Sequence, residues 1–161
     1  MKVLVTGASG YIGGQLADKL SAVGHDVTCM VRKAAQRPQL HRPQINFVEA
    51  DALQAETLLP ALKGIEVAYY LIHSMSGQVH GFESRDRQAA HNFGIAAKQC
   101  GVRRVIYLGG LAATGGTVSA HLKSRHETGA PYCESLGRPW SNCGPASSLG
   151  MGVRLSKSSA A

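Results

Sequence analysis

The glycine-rich segment VTGASGYIGG at residues 5–14 restricts the possible folds of this chain more than any other part of it. A short apolar run at residues 2–5 leads into it, and apolar residues recur after it at the spacing of one helix face. Those residues are Ile12, Leu16, Leu20 and Val23. Gly24 then stands where helices commonly end. The segment is therefore predicted to be a tight turn between a strand and a helix.

The alternation of strand and helix continues through residues 1–130. Four further segments rich in apolar and β-branched residues are predicted strands, at residues 26–31, 45–50, 65–75 and 103–111. Helical patterns lie at residues 56–63, 82–100 and 119–128, and Pro60 requires the first of these helices to start late or to kink. Apolar strands separated by helices are typical of a parallel sheet covered on both faces. With right-handed crossovers, the prediction is an α/β fold with a doubly wound parallel sheet.

Composition and charge exclude several classes of function. The 161 residues suit one domain, and 44% hydrophobic with 17% charged residues is typical of a folded globular protein. The net charge of +7 is not gathered into a basic stripe, so nucleic-acid binding is not expected. No run of about 18 apolar residues is present to span a bilayer, and the first residues have the pattern of a strand rather than a signal peptide, which predicts a cytoplasmic protein without membrane contact. Because no C-x-x-C or H-x-x-x-H spacing occurs, no metal site is predicted.

Gly7, Gly10 and Gly13 have the spacing G-x-x-G-x-x-G, which between a strand and a helix is typical of dinucleotide binding. The first glycine permits the tight turn, the second lets a pyrophosphate approach the backbone, and the third lets the helix pack closely on the strand. The helix N-terminus then presents free N–H groups and a positive dipole to the phosphates. The alternative is that these glycines only allow the backbone to make the turn and bind no ligand.

The residues after the second predicted strand bear on which dinucleotide is bound. An acidic residue at this place hydrogen-bonds the ribose 2′-hydroxyl of NAD. This chain has Arg32 and Lys33 instead, and a guanidinium suits the 2′-phosphate of NADP through charge-assisted hydrogen bonds. NADP is therefore the expected cofactor, with NAD possible, and a solvated basic loop is the alternative. Asp51, after the third strand, is placed either to approach the adenine ring or to serve as a helix N-cap.

Four segments together resemble the atypical short-chain dehydrogenase/reductases, and within them the NmrA-like NAD(P)-binding proteins related to sugar-nucleotide epimerases. They are VTGASGYIGGQL, FVEADALQAETLLPALKGIEVAYYLIHSM, FESRDRQAAHNFGIAAKQCGVRRVIYLGGL and SAHLKSRHETG. The resemblance implies a Rossmann fold, an NADP(H) cofactor, and hydride transfer involving a small carbonyl or sugar-like substrate. It also implies the cofactor-binding residues, which are Gly7, Ala8, Ser9, Gly10, Tyr11, Ile12 and Gly13 for the phosphates, Arg32 for the 2′-phosphate, Asp51 and Ala52 for the adenine, and Leu71, Ile72 and His73 for the nicotinamide side.

The chain departs from this family at the expected catalytic pair. Short-chain dehydrogenases use Tyr-x-x-x-Lys, in which the lysine lowers the pKa of the tyrosine so that the phenol can pass a proton to the substrate. The corresponding segment HLKSR has His121 and Arg125 at those two positions. By the resemblance these are the candidate catalytic residues, and the alternative is that both are ordinary helix residues. The departure favours a second function, a non-catalytic NADP(H)-binding redox sensor.

Residues 131–161 do not continue the pattern, because they contain Gly, Ser, Pro and Cys with no period. Nothing in them matches the sixth strand and substrate region that the resemblance implies. Read one nucleotide out of frame, permitted codons for this stretch spell LLRESG, PVVELRAS and SASFE, which resemble the missing continuation. The sequence therefore predicts a frameshift near residue 130, a chain truncated before its substrate region, a sheet without its sixth strand and a poorly packed tail. Neither the substrate nor the oligomeric state is indicated.

Overall fold

The computed structural model describes residues 1–36, 44–72, 82–108 and 141–143. Strands and helices alternate along these ranges, as predicted. The strands are β1 (Lys2–Thr6), β2 (Asp26–Val31), β3 (Asn46–Glu49), β4 (Val67–Tyr70), β5 (Arg104–Leu108) and β6 (Ser141–Cys143). The helices are α1 (Tyr11–Ala22), α2 (Ala55–Leu62) and α3 (Phe82–Gln99), with a short 3-10 turn at Ala34–Gln36.

The strands form one six-stranded parallel sheet in the order β3-β2-β1-β4-β5-β6. Strand β1 lies in the middle, with Val3 opposite Val27 of β2 on one side and Val67 of β4 on the other. The chain runs outward from β1 to β3 and then returns to the other side of β1 as β4. The predicted doubly wound parallel sheet is confirmed. Sheets of this kind bind ligands at the carboxyl ends of the strands where the order reverses, which here is the crevice between β1 and β4.

Both faces of the sheet are buried. Successive residues of a strand point to opposite faces, so neighbouring residues belong to different core clusters. On one face, Leu4 belongs to a core cluster with α2 and α3, in which the rings of Tyr70 and Phe93 have centroids 5.0 Å apart. On the other face, Val5 packs in a second cluster with Ala17 of α1. Among the described residues, the helices thus cover the two faces separately and leave the ends of the strands open to a ligand.

Helix α1 buries a face made mainly of small residues. Ile12 is 39% exposed and Val23 is 66% exposed, whereas Gly13, Ala17 and Leu20 are buried. The helix is confirmed, but two of the four apolar residues that predicted it do not face the core. Small residues lie against the sheet because the start of α1 approaches the preceding turn closely.

Helix α2 has Pro60 in its interior and nevertheless begins at Ala55, so the predicted alternative of a late start is wrong. The proline leaves the carbonyl of Glu56, four residues earlier, without its helical donor. Near the end of α2, the Cys100 thiol donates to the carbonyl oxygen of Leu59 at 3.5 Å. This contact joins α2 to the residue that follows α3.

The outer edge of β5 carries a strand where the sequence predicted none. Strand β6 pairs with β5 in parallel, with Ile106 opposite Ser141 and Leu108 opposite Cys143. Three residues thus pair at this edge, and the predicted incompleteness of the sheet at its C-terminal end stays a prediction. Pairing at a sheet edge uses backbone N–H and C=O groups, so it does not need the side chains that the family pattern led us to expect. The predicted helix at residues 119–128 and the remainder of residues 131–161 lie outside the described residues.

Candidate functional site

The turn after β1 requires glycine at its first position for two reasons. Gly7 has a φ of 65°, in the left-handed region that side chains rarely adopt. A Cβ atom at this position would also lie 2.9 Å from the carbonyl oxygen of Leu71, just after β4. The Gly10 N–H donates to the Gly7 carbonyl oxygen at 3.0 Å and closes the turn. The turn is therefore held against the carboxyl end of β4, in the crevice where the strand order reverses.

Gly13 is required by contact. A Cβ atom at this position would overlap the carbonyl oxygen of Gly7 and would lie 2.8 Å from the Cα atom of Ala8. Both neighbours are backbone atoms of the turn, so they cannot move aside as a flexible side chain would. The first turn of α1 therefore rests directly on the glycine turn.

The N-terminus of α1 leaves backbone donors available. Its N-cap, Gly10, is extended and makes no side-chain hydrogen bond to the helix. The first bond of the helix runs from the Gly14 N–H to the Gly10 carbonyl oxygen at 3.0 Å, so the N–H groups of residues 11–13 have no partner within the helix. No acidic residue occupies the first turn, where the positive end of the helix dipole lies. Tyr11 and Ile12 are exposed whereas Gly13 is buried, so the first two of these donors suit a phosphate group at the surface.

Thr6 joins the ends of the two central strands. Its side chain is fully buried, and its Oγ1 accepts the N–H of Leu71 at 2.9 Å. The bond fixes the backbone that enters the predicted nicotinamide side, where Leu71 and Ile72 are half-buried. The sequence analysis missed Thr6, although a polar residue that ends the apolar run KVLV is a visible signal.

Arg32 lies at the same edge of the sheet. The register pairs Met30 of β2 with Thr6 of β1, and β2 ends at Val31. The backbone of Arg32 therefore lies beside the glycine turn that follows Thr6, and the residue is exposed. A cation at this place adds to the positive potential of the α1 N-terminus.

The structure excludes the N-cap alternative for Asp51, because the N-cap of α2 is Gln54. The Asp51 Oδ1 atom instead accepts the N–H of Leu53 at 3.0 Å, and the Asp51 N–H donates to Thr57 Oγ1 at 3.0 Å. A short aspartate turn of this kind orders the loop between β3 and α2. One carboxylate oxygen of Asp51 is thus used in the loop, and the predicted contact with adenine would use the other.

Asn92 of α3 holds the same loop from a different element. Its Nδ2 atom donates to the carbonyl oxygens of Ala52 at 3.0 Å and Leu53 at 3.4 Å. Gln88 donates from Nε2 to Asn92 Oδ1 at 2.7 Å, which orients the amide with its donors toward the loop. Asn92 could not be identified from the sequence, because it lies 40 residues from Ala52 and no local pattern connects the two.

The predicted cofactor residues in the described ranges follow four strands at one edge of the sheet. Residues 7–13 follow β1, Arg32 follows β2, residues 51–52 lie beyond β3, and residues 71–72 follow β4. Three further predicted site residues, His73, His121 and Arg125, lie outside the described residues.

Three pKa shifts in the described ranges belong to groups with structural roles. Burial raises the pKa of the Cys29 thiol to about 12, and the nearby charge of Asp18 adds to this effect. Burial also raises the pKa of Cys100. At the amino ends of the strands, Glu66 accepts the Lys2 N–H at 2.9 Å and a guanidinium N–H of Arg103 at 3.0 Å, and the pKa of Glu66 is lowered, chiefly by the bond from Lys2. These charges stabilise the edge of the sheet that is opposite the glycine turn.

An open groove of about 510 Å³ also lies away from the glycine turn. It is lined by Leu59, Pro60, Lys63, Gly64, Gln99 and Cys100. These residues are at the ends of α2 and α3, just before β4 and β5 begin, so the groove is at the amino edge of the sheet.

In the part of the chain that the structure describes, no cluster of three or more His, Cys, Asp or Glu side chains could hold a metal ion. None of the helices in those ranges combines the length and the apolar character that crossing a membrane requires.

Comparison with known proteins agrees with this geometry. A family model described as NAD(P)H-binding matches residues 7–135. A 3-beta-hydroxysteroid dehydrogenase from Mycolicibacterium neoaurum is 30% identical over 115 residues, which make up 66% of this chain and 31% of that protein. The chain therefore spans about a third of the length of this curated relative.

Two solved structures share the fold. The triphenylmethane reductase of Citrobacter sp., complexed with NADP(H), matches with a TM-score of 0.71 and 22% identity over 87% of this chain and 47% of that one. The enzyme WbmH of Bordetella bronchiseptica, in complex with NAD+, matches with a TM-score of 0.72 and 19% identity over 89% of this chain and 55% of that one. The predicted Rossmann fold is confirmed. Because the family match runs from the glycine turn through β5, this chain belongs to the NAD(P)H-binding family, of the atypical short-chain dehydrogenase/reductase type that its motifs indicate.

Proposed function

We propose that this chain holds NADP(H) at the carboxyl edge of its sheet, as the cofactor-binding part of an oxidoreductase that acts on a small carbonyl or sugar-like substrate. The cofactor supplies the hydride chemistry, and the residues of the chain bind and orient it. The observation that carries the proposal is the glycine turn, which leaves the N–H groups of residues 11–13 for an anion beside the exposed Arg32.

The proposed roles follow from the places of the residues along the edge. Residues 7–13 cradle the pyrophosphate, since the turn leaves the first N–H groups of α1 without helical partners. Arg32 contacts the 2′-phosphate of the adenosine ribose. Asp51 uses the carboxylate oxygen that Leu53 does not occupy to accept the amino group of adenine, with Ala52 beside it. Residues 71–73 line the nicotinamide side.

Substitution of Arg32 tests the choice of cofactor. We expect Arg32→Glu to weaken NADPH binding by roughly tenfold or more, because a hydrogen bond to a charged group contributes about 1.5–3 kcal/mol, and to change NADH binding much less. Titration calorimetry with the two cofactors measures both affinities. Lys19→Glu is the matched control, since it makes the same charge change in the last turn of α1. Equal losses of NADPH and NADH affinity in Arg32→Glu would contradict the contact with the 2′-phosphate.

A second function, a non-catalytic NADP(H)-binding redox sensor, is favoured by the segment HLKSR. It has His121 and Arg125 where the family has its catalytic tyrosine and lysine. The two functions differ in whether NADPH is oxidised in the presence of small aldehydes, ketones or nucleotide sugars. Oxidation that His121→Ala abolishes supports a catalytic histidine, and oxidation that survives this substitution supports hydride transfer without it. Binding without oxidation supports the sensor if the nucleotide sequence shows residues 131–161 to be native, because a chain cut off before its substrate region would bind NADPH without oxidising it under either function.

We also propose that a frameshift near residue 130 replaced the native continuation of this chain. The support is that one shifted reading yields three family-like segments in order. The codons of Ser141–Cys143 fall within the shifted segment PVVELRAS, which resembles the sixth strand of the family. The nucleotide sequence for residues 125–161 and beyond tests the proposal. An open shifted frame supports it, and stop codons in that frame contradict it.

A further inference from the structure

The peptide unit between Ala52 and Leu53 is held on both of its polar sides. Its carbonyl oxygen, on Ala52, accepts the Nδ2 of Asn92 at 3.0 Å. Its N–H, on Leu53, donates to Asp51 Oδ1 at 3.0 Å. Because the carbonyl and the N–H of one peptide unit lie in one rigid plane, the amide of Asn92 fixes the direction in which that N–H points. The N–H in turn fixes the position of the Asp51 carboxylate.

The amide of Asn92 is itself fixed. Gln88 donates to Asn92 Oδ1 at 2.7 Å, so the amide nitrogen faces the loop and not the solvent. The same nitrogen also approaches the Leu53 carbonyl oxygen at 3.4 Å, which gives it two successive acceptors. Hydrogen bonds that are linked end to end through a peptide group polarise and strengthen one another. The chain of contacts therefore runs from Gln88 through Asn92 and the peptide to Asp51.

Within the loop, other bonds hold the backbone but do not replace this one. The Asp51 N–H donates to Thr57 Oγ1 at 3.0 Å, and the Gln54 N–H donates to the Asp51 carbonyl oxygen at 2.8 Å. Both act on the ends of the loop. Without Asn92, the Ala52 carbonyl would lose its donor, and the Leu53 N–H bond to Asp51 would be the one described bond left on that peptide.

We propose that Asn92 is a positioning residue for recognition of the adenine base, acting through the Ala52–Leu53 peptide on the Asp51 carboxylate. The inference rests on the proposed NADP(H) function. A carboxylate oxygen accepts the exocyclic amino group of adenine, whereas the hypoxanthine base has a carbonyl oxygen there and would be repelled. Asn92 thus contributes to the choice of base without touching the cofactor.

The test compares NADPH with its hypoxanthine analogue, nicotinamide hypoxanthine dinucleotide phosphate, on the 161-residue chain. Wild type is expected to prefer NADPH. Asn92→Ala is expected to reduce this preference about threefold to tenfold, the effect of one net hydrogen bond on an equilibrium. Asn92→Asp, which keeps the shape but presents an acceptor to the Ala52 carbonyl, should reduce it at least as much. Gln88→Ala should reduce it less, because Asn92 keeps its donors and loses only its orientation.

Loss of stability alone would weaken the two cofactors equally, so the ratio of affinities separates positioning from folding. Ala96→Gly is the matched control, since it weakens α3 at a buried position on the same helix without removing a described bond to the loop. This variant should keep the wild-type ratio. An unchanged ratio in all of the Asn92 and Gln88 variants, with wild type still preferring NADPH, overturns the role of Asn92 alone. If wild type binds both cofactors equally, the adenine contact of Asp51 is overturned and the role of Asn92 with it. If wild type binds neither, the proposed function itself is overturned.

Discussion

The two edges of the sheet use glycine for different purposes. At the amino edge, Gly24, Gly64 and Gly101 have φ values of 84°, 75° and 70°, and a Cβ atom at any of them would meet nothing within 4 Å. At the carboxyl edge, Gly7 has a similar φ of 65°, but a Cβ atom there would lie 2.9 Å from the Leu71 carbonyl oxygen. The first three glycines serve one backbone conformation. Gly7 also leaves the space that the Leu71 carbonyl oxygen occupies. This second requirement distinguishes a turn that approaches other backbone from a turn that only ends a helix.

The polar groups of the two edges differ in the same way. At the amino edge, Glu66 is paired with the Lys2 N–H and with Arg103. At the carboxyl edge, the N–H groups of residues 11–13 have no helical partner and Arg32 is exposed. Glu66 at the amino edge is thus paired within the protein, whereas the carboxyl edge leaves backbone donors without helical partners and a cation exposed, as the proposed ligand requires. Four substitutions sharpen this comparison, and they are ordered from the largest expected effect to the smallest.

Gly13→Ala should be more damaging than the same change at Gly7 or at any glycine of the amino edge. The added carbon would overlap the Gly7 carbonyl oxygen and press on Ala8, both of them backbone. We expect the free energy of unfolding to fall by about 3 kcal/mol, the upper part of the usual range for overpacking. Denaturant unfolding followed by circular dichroism measures it. If Gly13→Ala lowered the free energy of unfolding less than Gly64→Ala does, α1 would not rest on the turn.

Gly7→Ala should destabilise the protein by about 2 kcal/mol, from left-handed strain and the contact with the Leu71 carbonyl oxygen together. It should also weaken NADP(H) binding, because relief of the contact moves the turn. The same unfolding experiment and a cofactor titration measure the two effects. Normal cofactor affinity in a folded Gly7→Ala protein would argue that the shape of this turn does not matter for the ligand.

Gly64→Ala is the counterpart at the amino edge, with the same change of backbone preference and open space around the new carbon. We expect the free energy of unfolding to fall by about 1 kcal/mol, from the left-handed strain alone. Cofactor affinity should stay at the wild-type value. Unfolding and titration are measured as for Gly7→Ala, and any loss of affinity would break the proposed separation of the two edges.

Glu66→Gln should have the smallest effect and should depend on pH. The folded state lowers the pKa of Glu66, first through the bond from the Lys2 N–H, so its charge stabilises the fold above the unfolded pKa. This stabilisation is lost as the pH falls through the lowered pKa. The stability of wild type minus that of Glu66→Gln should therefore be positive at neutral pH and should shrink in acid. A difference that stays constant between neutral and acidic pH would show that the carboxylate charge plays no part.

The parts of the fold that could be predicted from the sequence are those with a local pattern. The spacing of Gly7, Gly10 and Gly13 between apolar and helical segments predicted the turn, and the apolar pattern of residues 26–31 predicted that Arg32 would follow the second strand. The bond of Thr6 to Leu71 and the bond of Asn92 to Ala52 could not be predicted in this way, since they join residues 65 and 40 positions apart. The pairing of β6 with β5 could not be predicted either, because backbone groups make it and the side chains of residues 131–161 show no strand pattern.

The bond between Thr6 and Leu71 has a consequence for how the protein folds. The bond joins residues 65 positions apart, at the ends of the two strands that border the crevice. The site is built from segments that follow four different strands, so no short fragment of the chain contains it. Contacts so distant in sequence form late and slowly. A ligand that needs them stabilises only the completed sheet, by about 2.7 kcal/mol at a hundred times its Kd. The amount of folded protein in a cell would then follow the supply of its cofactor.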